Sequence, residues 1–226
     1  MDKGHDKHAM CYEGASNEEE IKVMSIHQAR TPASRLLLFF ALAFAISWSA
    51  WFVMRAAAIR PPLGPNFATS PGYLLLAFGM AGPTWAAFLV TSFAPGQQDR
   101  RDLIRRFLRW RVSWQWYLIA LGMPLLLAGL STLLYTLAGG SGFDGLKFWP
   151  LVGLAPQLLW TFVLGGPLEE ELGWRGYAFP RMLARTNALV SSLMIGVVWG
   201  LWHTPLFLLP GTTQYELVTQ QPLAIL

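Results

Sequence analysis

The chain has 226 residues, of which 54% are hydrophobic and 13% charged, with a formal net charge of +4. Soluble domains usually carry about 25% charged residues, so the composition excludes an ordinary water-soluble globule. The positive balance sits in Arg residues beside apolar runs and comes with no nucleic-acid recognition motif, so it reads as membrane orientation and not as nucleic-acid binding. Cys11, the single cysteine, excludes an intrachain disulfide and a cysteine-based metal site.

Residues 1–30 hold six of the thirteen acids, Glu18-Glu19-Glu20 among them, and predict a polar, disordered tail. Met24 stands before Arg30, Arg35 and an apolar run, so it is the expected native start. The first span is predicted from Leu36 to Met54, an uncharged stretch of the length that crosses a bilayer. Arg55, Arg60 and a Pro/Gly-rich loop at 61–65 follow it. A second span, Gly72 to Ala94, contains Gly79, Gly82 and Pro83, which membrane helices tolerate.

In Asp99 to Arg111, apolar Leu103, Ile104, Phe107 and Leu108 follow helical spacing while six Arg fill the other face. This predicts a basic amphipathic helix in the bilayer interface, on the cytoplasmic side. Spans follow at Trp114–Ala138, at Phe148–Leu168 with a Gly165-Gly166-Pro167 interruption, and at Ala188–Leu209. Pro210-Gly211 ends the last of these, and Pro222 to Leu226 reads as the first turn of another helix. The fold class is therefore all-α: a polytopic bundle of about five spans plus an interfacial helix. The positive-inside rule puts the N-terminus in the cytoplasm of a cell (inner) membrane protein. Residues 31–226 form the membrane domain.

Acids are rare after residue 30, yet Glu169, Glu170 and Glu171 stand together beside apolar sequence. Intramembrane charge defaults to function. Glu171 and Arg175 are an i, i+4 pair with Glu on the N-terminal side, the better orientation for an ion pair. Glu170 is rotated about 100° from Glu171 and free to face elsewhere. A helix starting after Gly-Gly-Pro puts the acids at the positive end of its dipole. His203 is the only His beyond residue 27 and lies inside the last span. If 168–185 and the last span form a hairpin turning at Thr186-Asn187, Glu170 and His203 both lie roughly 25 Å from the turn, and a facing carboxylate and imidazole could activate water. Trp199, one turn before His203, would pack on its ring.

Glu170-Glu171-x-x-x-Arg175 followed by Trp199-x-x-x-His203 resembles the CAAX protease and bacteriocin-processing (CPBP, or Abi) family, over residues 36–226. The resemblance implies an intramembrane endopeptidase acting on membrane peptides or proteins, with Glu170 as the water-activating carboxylate. Glu171 and Arg175 would support it, and His203 would hold the water or stabilise the oxyanion. Trp199 stands where the family usually has Phe. The family's third motif, His-x-x-x-Asn/Asp, has no match after His203, so the sequence reads as a C-terminally incomplete or inactive member. Zinc is possible by resemblance, with Glu170 and His203 as its ligands, but the chain offers no complete set, and metal-free water activation fits equally. The alternatives are an inactive bacteriocin-immunity or peptide-binding membrane protein and a proton-relaying transporter; the latter would show two broken helices in repeated halves.

Overall fold

The computed structural model describes residues 32–61, 70–93, 98–140, 159, 162–163 and 167–220. The N-terminal tail, the span at 148–168 apart from a few residues, and the turn at 222–226 lie outside them. All described secondary structure is helical. Among the described residues three helices are long and apolar enough to cross a membrane, and one bent pair would make a fourth span.

Helix α1, Ala33–Ala56, matches the first expected span and carries Arg55 in its last turn, where a cation meets the negative end of the dipole. Ile59 N–H bonds the Met54 carbonyl and Ala58 N–H that of Arg55, a Schellman stop with Ala58 in the left-handed position at φ 53°. The second span is broken. Ser70 caps α2, Pro71–Met80, by accepting from the Tyr73 N–H at 3.0 Å. A 53° bend then leads into α3, Gly82–Ser92. Pro83 accounts for the break, because its ring would clash with the Gly79 carbonyl in a continuous helix.

Helix α4, Gln98–Phe107, is the expected basic helix. Leu103 is its buried residue, whereas Ile104, Phe107 and neighbouring Leu108 face outward with the Arg side chains. Helix α5, Trp114–Leu137, has no buried residue among those described, and Gly139 at φ 93° closes it with the same hydrogen-bond pattern that Ala58 closes α1.

The chain then runs through α6, Pro167–Glu171, a π-helical segment, Leu172–Ala178, and α7, Phe179–Leu183. Pro180 explains the widened turns: in a regular α-helix its ring would meet the Gly176 carbonyl. The expected hairpin forms. Asn187 accepts from the Val190 N–H at 2.9 Å and starts α8, Ala188–Trp202. A 3-10 turn, Thr204–Leu208, and α9, Thr213–Gln220, follow; α9 lies between the expected span end at Leu209 and the turn at 222, where the sequence predicts no element.

Helix α1 packs against α2, α3 and the 3-10 turn, and the π-helical segment packs against α3. Lipid tails are as apolar as the side chains, so close packing rather than water exclusion holds such helices together. Three glycines allow it: Gly79 lies on the Trp51 indole, Gly82 on Ser47, and Gly173 on the Pro83 backbone. Around these contacts Phe39, Trp51, Trp174, Tyr177 and Trp202 form a buried aromatic core.

Candidate active site

The short helix α6 begins at Pro167, pre-set for a first helical position, and places Glu169 and Glu170 in its first turn. Thr84, next to the break in the second span, donates its hydroxyl to the Glu169 carbonyl and ties α6 to α3. The three acids then diverge. Glu171 pairs with Arg175, Nη1 to Oε1 at 2.6 Å, and both side chains are about half exposed. In water such an i, i+4 pair contributes only ~0.3–0.5 kcal/mol. Glu170 points inward and is 6% exposed. Its Oε2 accepts from the indole N–H of Trp199 at 2.7 Å. A hydrogen bond to a charged group is worth about 1.5–3 kcal/mol.

His203 caps the C-terminus of α8 and is 9% exposed. Its ring stands edge-to-face against Trp199, centroids 4.4 Å apart, and against Trp202, 4.6 Å apart. Its Nδ1 lies 2.8 Å from the Trp199 carbonyl oxygen. A carbonyl only accepts, so Nδ1 carries the proton, and in the neutral form of the ring the lone pair is at Nε2. From the far side, Trp48 of α1 donates its indole N–H to the Trp202 carbonyl at 2.9 Å and anchors this end of α8.

The hairpin thus brings both Glu170 and His203 onto Trp199, where the spacing predicts the two level and facing each other. Among the described residues no hydrogen bond joins them; Trp199 touches both. The carboxylate meets α8 at Trp199, one turn nearer the hairpin bend than His203. Sequence reasoning assigned Trp199 only ring packing. The one signal for its second role was chemical: an indole has an N–H to give. A cleft of about 240 Å³, lined by Arg175, Phe179, Ser192, Ile195, Gly196 and Trp199, opens beside the site.

No group of three or more His, Cys, Asp or Glu that could hold a metal occurs among the described residues. Catalytic zinc takes three protein ligands. Glu170 and His203 are two, and each already has a ligating atom engaged by Trp199. These residues do not fit a zinc centre by themselves.

The chain is 28% identical over 194 residues to CAAX prenyl protease 2 of Methanococcus maripaludis, an alignment covering 81% of this chain and 66% of that protein. It thus spans just under two thirds of that relative's length. The family model for type II CAAX prenyl endopeptidase Rce1-like proteins matches residues 24–221. With the family's sequence pattern brought together in one helical bundle and the match running over most of its length, the chain belongs to the Rce1-like type II CAAX prenyl endopeptidase family.

Proposed function

We propose that the protein is an intramembrane endopeptidase of the CAAX type that hydrolyses peptide bonds with a water activated by Glu170. The observation that carries this reading is a carboxylate 6% exposed, held by one hydrogen bond, beside an imidazole of defined tautomer. Oε2 of Glu170 is engaged by Trp199, which leaves Oε1 for the water. His203 Nε2 accepts one O–H of that water and orients it. Glu170 takes the other proton as the oxygen attacks the scissile carbonyl carbon. When the C–N bond breaks, Glu170 returns the proton to the leaving amine. Glu171 and Arg175 neutralise each other beside this centre. The substrate class is a membrane-held peptide, with a prenylated CAAX C-terminus as the first candidate on the strength of the family and its relative.

The test is cleavage of prenylated and unprenylated CAAX peptides by the purified chain in proteoliposomes, beside Glu170→Gln and His203→Ala. Cleavage by the parent chain that both substitutions abolish supports the reading. Undiminished cleavage by Glu170→Gln would overturn it, and peptide binding without cleavage by the parent chain would favour the binding-protein alternative.

A further inference from the structure

One residue contacts both members of the proposed catalytic pair through different atoms. The side chain of Trp199 reaches Glu170 and its main chain reaches His203. The indole N–H can only donate, and Oε2 of Glu170, at 2.7 Å, is its acceptor. The Trp199 carbonyl can only accept, and it takes the His203 Nδ1–H at 2.8 Å. The same carbonyl also receives the His203 backbone N–H at 3.3 Å, so His203 is held at the helix end by one ring bond and one backbone bond to the same oxygen.

We propose that Trp199 is a positioning residue: its indole N–H fixes the Glu170 carboxylate while its carbonyl fixes His203, so that Oε1 and Nε2 converge on one water. The proposal rests on the reading of Glu170 as the water-activating group. Three physical points support it. A Glu side chain has three rotatable bonds, and a single directional bond to one oxygen removes much of that freedom. Edge-to-face packing of the indole on the imidazole, centroids 4.4 Å apart, couples the two orientations. Trp199 itself is 40% exposed, so its ring is not a core element whose loss would collapse the bundle. A purely packing role needs the ring alone, and Phe would supply it; a positioning role needs the N–H.

Two measurements on the full chain test this. The first does not depend on activity. In ¹H–¹⁵N spectra of the detergent-solubilised protein, the indole resonance lost in Trp199→Phe is assigned to Trp199. Glu170→Gln replaces a carboxylate with a weaker neutral acceptor, and that resonance should move upfield. A resonance unchanged by Glu170→Gln would show that the bond does not exist and overturn the proposal. The second is kinetic. Trp199→Phe should lower kcat roughly ten- to hundred-fold, the range for one hydrogen bond to a charged group, while KM stays within about two-fold. Benzothienylalanine at position 199, which keeps the bicyclic shape without the N–H, should reproduce the loss and keeps the test open if the Phe variant folds poorly. Full kcat in the benzothienylalanine protein would overturn the proposal. If the parent chain cleaves nothing, the protease reading fails, and the indole resonance still decides whether Trp199 holds the carboxylate.

Discussion

Gly173 of the π-helical segment lies directly on the backbone of Pro83, with no room for a β-carbon between them. This contact joins the segment that follows the three acids to the break in the second span, and Thr84, the next residue, bonds the Glu169 carbonyl. Gly173→Ala should therefore act on both stability and the site. Overpacking a close contact costs typically 1–3 kcal/mol. The expected outcome is a lower thermal midpoint in detergent, together with loss of peptidase activity, measured on the same preparation. Gly129→Ala, on α5 away from the site, is the control, because a β-carbon there meets nothing within 4 Å.

The two neighbouring acids should separate cleanly in function. Glu170 is buried and Glu171 is about half exposed in an ion pair. Glu170→Gln should leave no measurable turnover. Glu171→Gln should retain partial activity and shift stability by no more than about 0.5 kcal/mol. Single-turnover rates and thermal melts of the two variants check this, and equal losses would contradict the division of roles.

Ala58 occupies the left-handed position that ends α1, at φ 53°, where Gly139 does the same work for α5 at φ 93°. An L-residue in that conformation costs roughly 1–2 kcal/mol. Ala58→Gly should raise the thermal midpoint, with activity unchanged. A fall in the midpoint would show that the strain is not there.

The tautomer of His203 is set by its bond to the Trp199 carbonyl. Ring ¹⁵N shifts of histidine-labelled protein should show a neutral imidazole protonated at Nδ1. Protonation at Nε2 instead would remove the water-orienting role assigned to that atom.

With only two metal-ligating side chains at the site among the described residues, peptidase activity should survive dialysis against a strong zinc chelator such as phenanthroline. Loss of activity that added zinc restores would require a further ligand from outside those residues. The cytoplasmic assignment of the Arg-rich α4 is checked separately: Cys11 is the single cysteine, and a membrane-impermeant maleimide should label it only from the cytoplasmic face.

Much of this protein is written in its sequence. Uncharged runs of bilayer length mark the spans because a helix satisfies its backbone hydrogen bonds within one such segment, and α1, α5 and α8 begin or end within a few residues of those runs. The Glu171–Arg175 pair follows from spacing alone, since residues four apart on a helix are neighbours. The hairpin at Thr186-Asn187 is equally local, because Asn is a helix cap. Tertiary structure decided the rest. That Glu170 rather than Glu171 meets the opposite helix depends on what that helix presents, and here it presents the Trp199 N–H to Glu170. The π-helical segment that follows the acids arises at Pro180, and the broken second span at Pro83. The position of each proline is visible in the sequence. The direction in which the chain yields around it is set by its neighbours, as Gly173 seated on Pro83 shows.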